Sequence, residues 1–333
     1  MSITIKYLGK TYTTDLRKEL SDEQYKKVVE DYYRKPDFDD VKQQMLKLYM
    51  GGVKTNHIYN YYIKDLAIKT KLYHSKWSIE EVLNYKPLLE VFYGKTEANK
   101  KVYPDNLSIS EKIATAFRLC GKGLAEKPAN FPLKSCNEIL KKYNVNNRFY
   151  DYSCGWGIRL LSALSNGIDY FGTDPNYLLC DRLYKMSYDF KNICNASSIV
   201  DIRKHGSEIF VEEWRNQFGI AFSSPPYYNL EDYRIGNQSY KIGMAYKQWL
   251  DGFMYQTIKN IYEYLIDDGY FIINIKNYQK YHLIEDVLSI CERIGFTLYA
   301  KEILENNKRV GIANNSTNED IFVFTKKIKQ NNA

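Results

Sequence analysis

The chain has 333 residues, 44% of them hydrophobic and 26% charged, and a net charge of +7. This is the composition of a globular protein with room for one large core and a smaller appended domain, and no apolar run reaches the ~20 residues of a membrane span. Six scattered cysteines without a Cys-x-x-Cys pair read as reduced, buried thiols, and four isolated histidines without His-x-Glu argue against a metal site and hence against a zinc deaminase.

The start, Met-Ser-Ile-Thr-Ile-Lys, lacks an apolar signal core, so the cytoplasm is the expected place of work. Charge is unevenly placed: residues 1–147 hold 26 Lys and Arg against 18 Asp and Glu, and the remainder holds 21 against 22. The basic surplus therefore belongs wholly to the N-terminal part.

Ile3 to Leu8 alternates as a short strand, and a polar helix covers Asp22 to Arg34. From Phe38 the stripe Val41, Met45, Leu46, Leu48 and Tyr49 predicts a helix that Gly51-Gly52 ends. Helices follow at Tyr59 to Thr70, at Ser78 to Tyr93 and from Ser108 to Cys120, with Tyr103-Pro-Asp-Asn106 as a turn. The last two open on capping-box pairs, Ser78 with Glu81 and Ser108 with Glu111. Residues 1–120 thus read as a mainly helical, basic domain, a candidate for DNA binding and target recognition. Lys64, Lys69, Lys71, Lys76, Lys86, Lys95, Lys100 and Lys101 lie among Tyr61, Tyr62, Tyr73, Trp77, Tyr85 and Tyr93. Two readings stay open: lysines for phosphates with aromatics for bases, or lysines in water with aromatics in a core. Residues 121–134, with glycines and prolines, read as a linker, and a third box, Ser135 with Glu138, opens a helix Cys136 to Tyr143.

The second domain, 135–333, begins its sheet at Arg148 to Tyr152, which runs into Ser153-Cys154-Gly155-Trp156-Gly157 and a helix, Leu160 to Ser165. Strand, glycine turn and helix open a nucleotide-binding α/β unit, in which the backbone approaches a ligand at the helix N-terminus. The next strand, Tyr170 to Thr173, ends at Asp174-Pro175, where an acid is placed to accept hydrogen bonds from both ribose hydroxyls of a nucleoside cofactor. A further strand, Phe218 to Phe222, stops at Ser224-Pro225-Pro226-Tyr227, because two prolines cannot continue a ladder. That corner suits methylation of a nucleobase's exocyclic amine. Ser224 Oγ and the Pro225 carbonyl would accept the amine hydrogens and draw the lone pair out of conjugation, and Tyr227 would offer a stacking face to an extruded base. By itself Pro-Pro-Tyr also fits a stiffened loop with buried tyrosines; the upstream glycine turn favours the chemical reading. Beyond it come a loop from Tyr228 to Lys241, a helix Met244 to Leu265, a strand Gly269 to Ile275, a helix His282 to Ile294, and strands Phe296 to Ile303 and Glu319 to Thr325 as a hairpin across residues 306–318. The tail from Lys326 reads as frayed.

Asp151-Tyr-Ser-Cys-Gly-Trp-Gly157, Gly172-Thr-Asp-Pro-Asn176, Gly206-Ser-Glu208 and Ser224-Pro-Pro-Tyr227 resemble, in order and spacing, motifs I to IV of class I S-adenosylmethionine-dependent DNA amino-methyltransferases. The resemblance covers residues 135 to about 327. It implies an α/β, Rossmann-like, seven-stranded sheet and S-adenosyl-L-methionine as cofactor. Asp151, Ser153, Cys154, Gly155, Trp156 and Gly157 would surround the cofactor's amino-acid end, Asp174 and Pro175 its ribose, and Ser207 or Glu208 its adenine. Ser224, Pro225, Pro226 and Tyr227 would hold the target base. Gly219, Ile158 and the absence of an Asp in the third motif depart from the commoner pattern, and Arg159 reads as a partner for the cofactor carboxylate or a phosphate, or as a surface residue. The resemblance implies a bacterial or phage-infected host cell and DNA as partner, with N6 of adenine and N4 of cytosine both open. An RNA methyltransferase, or a silent DNA-binding module on the same fold, are the alternatives. No cysteine follows a proline, so direct in-line transfer is expected without a covalent enzyme intermediate.

Overall fold

The computed structural model describes residues 2–98, 106–119, 121, 123–277, 279–304 and 319–326. In chain order the elements are β1 (Ile3–Tyr7), β2 (Lys10–Thr14), α1 (Asp22–Tyr33), α2 (Phe38–Tyr49), α3 (Asn56–Tyr62), α4 (Lys64–Ala67), β3 (Lys71–Leu72), α5 (Ile79–Leu83), α6 (Lys86–Glu97) and α7 (Ile109–Leu119). Then come α8 (Leu133–Tyr143), β4 (Arg148–Asp151), α9 (Ile158–Ser165), β5 (Asp169–Thr173), α10 (Tyr177–Cys194), β6 (Val200–Arg203), β7 (Phe218–Ser223) and β8 (Glu231–Asp232). The chain ends with α11 (Tyr246–Trp249), α12 (Tyr255–Tyr264), β9 (Leu265–Ile275), α13 (Leu283–Ile294), β10 (Phe296–Leu304) and β11 (Glu319–Lys326). The expectations for Lys100, Lys101, residues 103–105, Cys120, the loop 306–318 and the tail 327–333 lie outside the described residues.

The chain divides into two compact units. The first combines Met1–Pro36, Lys64–Ala129 and Glu231–Arg234; the second combines Asp37–Ile63, Asn130–Leu230 and Ile235–Ala333. Residues 37–63, expected in the N-terminal domain, belong to the second unit: Tyr62 Oη donates to Asp189 Oδ2 at 2.6 Å, and the Tyr49 ring meets Phe190 edge-on, fastening α2 and α3 to α10. Residues 231–234, expected in a loop, supply a short strand to the first unit, where Lys71–Leu72 pairs with Glu231–Asp232.

In the first unit the opening strand is a hairpin, β1 with β2, turned at Leu8 and Gly9, both of positive φ. Ser21 caps α1 through a reciprocal box with Gln24, and the boxes at Ser78 and Ser108 both form. The helix expected over Ser78 to Tyr93 is broken at Asn84-Tyr85, since Pro87 starts a new helix without needing a donor there. Trp77 and Tyr93 are buried in this unit's core, and Tyr62 in the second unit's, whereas Tyr73 is half exposed. Three of the six interleaved aromatics are thus core residues, and Tyr85, part-exposed, packs against the first unit's core. The supposed linker is packed as well, with Leu124 and Ala125 in the core and the Leu124 carbonyl accepting from Trp77 N–H at 2.9 Å.

The second unit contains the expected seven-stranded sheet, in the order β10-β11-β9-β7-β4-β5-β6. Strands β4, β5, β6, β7 and β9 run parallel, and β11 is antiparallel to both neighbours. Helix α8 begins at Leu133 behind Pro132, so the Ser135–Glu138 box is not the start of that helix. Gly219 has a local cause: its N–H donates to Asn146 Oδ1 at 2.7 Å, and a Cβ there would lie 2.6 Å from that oxygen. Chain order reverses between β4 and β7, the switch point beside which α/β sheets bind ligands at the carboxyl ends of the strands. No helix among the described residues is long and apolar enough to cross a membrane.

Candidate active site at the sheet's switch point

Asp151 closes β4 and is fully buried. Its Oδ2 accepts from Arg159 Nε and from Tyr170 Oη, each at 2.9 Å, and its Oδ1 accepts from Ser153 N–H at 3.3 Å. Burial pushes the Asp151 carboxyl up, and the Arg159 guanidinium with these donors pulls it back; Arg159, buried too, is raised by Asp151 against its own desolvation. Arg159 also donates to the Ser153 carbonyl. It is therefore an internal strut of the glycine loop, neither a surface residue nor free for a carboxylate or phosphate, and Asp151 holds that strut in place of a ligand.

The glycine loop is pinned between strands. Cys154 N–H donates to the Thr173 carbonyl at 3.2 Å, while the Cys154 side chain is 1% exposed and turned inward, so only its backbone can serve a ligand. Gly157 caps α9 in a left-handed conformation (φ +80), and a Cβ there would come within 2.7 Å of Leu183 and Met186 on α10. Gly155 is also left-handed (φ +54), but a Cβ there would meet nothing closer than 3.4 Å. Gly157 thus serves packing, and Gly155 leaves the loop's surface open. Trp156 is part-exposed on the same loop.

Asp174, at the end of β5, accepts from Asn176 N–H at 2.9 Å and from the Gly155 backbone, which brings it to the glycine loop. Burial nevertheless pushes its carboxyl up to about 7 against those two donors. Pro175 follows it, its carbonyl accepting from Asn237 Nδ2 at 2.7 Å. Beyond β6, Ser207 is engaged elsewhere: its Oγ pairs with Thr257 Oγ1 at 2.8 Å and its carbonyl accepts from Asn260 Nδ2 at 2.9 Å. Glu208 is different, because its Oε2 is shielded from solvent and has no hydrogen-bond partner among the described residues. Of the two residues expected at the adenine, only Glu208 has an unsatisfied group. Thr257 and Asn260, buried on α12, are functional neighbours that the sequence signals only as two polar residues three apart on a helix.

The corner after β7 adjoins the glycine loop directly, since Ser223 Oγ donates to the Ser153 carbonyl at 3.1 Å. The Tyr152 hydroxyl lies 3.2 Å from the Ser223 carbonyl and 2.9 Å from that of Ile272, tying β4, β7 and β9 together. Ser224 is part-exposed, Pro225 buried and Pro226 part-exposed. Ser224 Oγ lies 3.3 Å from Tyr227 Oη, which donates to the Asn274 carbonyl at 3.0 Å. Tyr227 is 7% exposed, its ring within the core, so the broad stacking face expected of it is not presented. What the arrangement does offer is a serine oxygen whose proton is directed at Tyr227 and whose lone pairs remain available. In the supposed linker, Asn130 Oδ1 is buried and unpaired among the described residues, and the next residue, Phe131, packs edge-on against Phe222 at 5.2 Å.

No protein-family model and no curated protein matches this chain. Among solved structures it is similar to a TehB-like SAM-dependent methyltransferase from Corynebacterium glutamicum, with 18% identity, 58% of this chain and 87% of that one covered, and a TM-score of 0.38. It is similar to a 1,6-didemethyltoxoflavin-N1-methyltransferase from Burkholderia thailandensis, solved with S-adenosylhomocysteine, at 10% identity over 59% and 78% of the chains with a TM-score of 0.40. It is also similar to an rRNA methylase from Streptococcus thermophilus, at 12% identity over 60% and 99% with a TM-score of 0.39. The fold of the second unit rests on its own strand order, which is that of the class I methyltransferases.

Proposed function

We propose that this protein is an S-adenosylmethionine-dependent methyltransferase acting on the exocyclic amine of an extruded base in DNA, at N6 of adenine or N4 of cytosine. The residues suit the cofactor: Gly155 leaves the loop surface open, Asp174 stands beside it as an acceptor, and Glu208 Oε2 lacks a donor where an adenine amine would come. When bound, the cofactor supplies a methyl group on a cationic sulfur. Asp174 would take the ribose hydroxyls and Glu208 the adenine amine, with the backbone from Ser153 to Gly157 at the amino-acid end.

The observation that carries the substrate reading is the relay from Ser224 to Tyr227 to the Asn274 carbonyl. Because Tyr227 gives its own proton to Asn274, Ser224 gives its proton to Tyr227 and meets the substrate only as an acceptor. An aromatic amine is a poor nucleophile until acceptors bend its hydrogens out of the ring plane, and Ser224 with the Pro225 carbonyl supplies them. The remaining work is orientation, with the proton leaving to solvent after transfer. The basic surplus of residues 1–147, most of it on the segments 1–36 and 64–129 of the first unit, supports phosphate contact by that unit, with its buried aromatics assigned to structure.

The test is methyl transfer from labelled cofactor to mixed DNA, followed by mass spectrometry of the nucleosides. N6-methyladenine or N4-methylcytosine is expected from the wild type and not from Ser224→Ala. Label in RNA and none in DNA would move the reading to RNA. Cofactor-independent DNA binding with steep salt dependence and no transfer would make the chain a DNA-binding module.

A further inference from the structure

The corner does not end at Tyr227. Leu230 N–H donates back to the Tyr227 carbonyl at 3.1 Å, closing a tight turn in which Tyr228 has φ +55. A left-handed conformation is unfavourable for a bulky side chain and persists only where its surroundings impose it. Here they do. The Tyr228 ring lies edge-on to Tyr240, Tyr246 and Tyr281, 4.9 to 5.4 Å away, packs against Trp249 at 5.7 Å, and its hydroxyl donates to the Met244 carbonyl. Five groups thus hold a turn whose next residue is Asn229. Asn229 Oδ1 is shielded from solvent and has no hydrogen-bond partner among the described residues. A buried, unpaired amide oxygen is costly and rare, and a strained turn that creates one has a use for it.

We infer that Asn229 reads the target base: its carboxamide oxygen accepts one hydrogen of the exocyclic amine, and its amide N–H donates to the adjacent ring nitrogen. The inference rests on the amino-methyltransferase reading above and deepens it. The ring nitrogen next to the amine is an unprotonated acceptor in both adenine (N1) and cytosine (N3), so one carboxamide matches either base. Guanine and thymine offer the opposite pair, a carbonyl beside a ring N–H. With Ser224 restricted to accepting, Asn229 is the donor in this stretch that can test the ring nitrogen. In this orientation of the carboxamide it matches the amino bases, and it leaves the choice between adenine and cytosine to other groups.

The experiment compares wild type, Asn229→Ala and Asn229→Asp on oligonucleotides carrying either the natural target base or its deaza analogue, 1-deazaadenine or 3-deazacytosine. The analogue keeps the amine and lacks the ring acceptor. On the natural base Asn229→Ala should lose about 10- to 100-fold in kcat/KM, the range of one good side-chain contact to a base edge. Cofactor affinity should not change. The analogue should cost the wild type a similar factor and cost the Ala variant little. Asn229→Asp keeps the shape and loses the N–H, so it should behave as Ala does toward the analogue, which keeps the test open if the Ala variant folds poorly. An analogue penalty equal in all three proteins would overturn the inference while leaving the methyltransferase reading intact. A wild type that methylates no DNA base would overturn both.

Discussion

Ser223 Oγ and the Ser153 carbonyl, 3.1 Å apart, join the glycine loop of β4 to the proline corner of β7. Two loops that belong to neighbouring strands of the sheet, and to the two partners of the proposed reaction, are thereby held at one spacing. Ser223 is completely buried, so this bond has no competition from water.

Ser223→Ala should therefore lower stability by about 1 kcal/mol, the ordinary net worth of one hydrogen bond. The larger effect should fall on kcat, because the mutation loosens the distance between donor and acceptor sites without touching either. Denaturant titration alongside single-turnover kinetics measures both. A loss confined to cofactor affinity would mean that the bond supports the glycine loop alone.

Tyr227→Phe separates the relay from the ring. The aromatic packing is retained, while the Ser224 proton loses its acceptor and becomes free to point at the amine. A fall in kcat of about 10- to 100-fold with unchanged cofactor affinity is expected, the cost of one or two misdirected hydrogen bonds at a reacting centre. Wild-type turnover by the Phe variant would remove the relay from the mechanism.

Asp174 makes the protein sensitive to pH. Its folded value of about 7 lies above the ~3.9 of an unfolded aspartate, so between those values the folded state holds a proton that the unfolded state has released. The stability contribution is fully present below the unfolded value and is lost as pH rises through the folded one. Asp174→Asn should flatten the decline in cofactor-free melting temperature across that window. Binding of a ribose to the ionised carboxylate has the opposite slope: cofactor affinity should rise through pH ~7 in the wild type and show no such rise in the variant, as isothermal calorimetry would record.

Gly155→Ala and Gly157→Ala should fail differently. Both enter a left-handed conformation at a cost of about 1 kcal/mol, but only at Gly157 would the methyl group also collide, with Leu183 and Met186. Gly157→Ala should be the more destabilised in urea. Gly155→Ala should retain more stability and lose more cofactor affinity, because its methyl group stands on the open surface of the loop.

Arg159→Met leaves Asp151 buried without its cation and should cost about 3 to 5 kcal/mol. Adding Asp151→Asn should recover part of that loss, since the uncompensated charge is then gone. If the double variant is no more stable than Arg159→Met, the pair is not acting as a charge pair.

Local signals were legible wherever chemistry and backbone coincide. The strand, glycine turn and helix around Gly155, the acid ending β5, and prolines terminating β7 all occupy the places their residue types dictate. Pairings over distance were not legible. Nothing adjacent to Arg159 reveals that it will be buried on Asp151, and nothing near Ser207 shows that Thr257 and Asn260 will occupy it. The 18-residue helix α10 carries Tyr, Lys and Asp amid its apolar residues, which blurs its helical stripe in the sequence. Its partner helices, α2 and α3, lie more than 100 residues before it, so nothing local to them signals that contact. Tyr227 illustrates the same limit, because a tyrosine beside two prolines looks available until the core that takes up its ring has been assembled.

The chain passes between its two units five times, at residues 36/37, 63/64, 129/130, 230/231 and 234/235. During synthesis the first unit therefore cannot be completed when its helices emerge, since β3 must wait for Glu231–Asp232, more than 150 residues later. Helices α2 and α3 likewise wait for α10. Loop closures of that span are slow and leave apolar faces open in the interval. No single cut can release either unit whole, and an expression fragment starting at residue 130 would lack the two helices that cover α10. This architecture calls for production of both units on one chain, and for slow, cool expression.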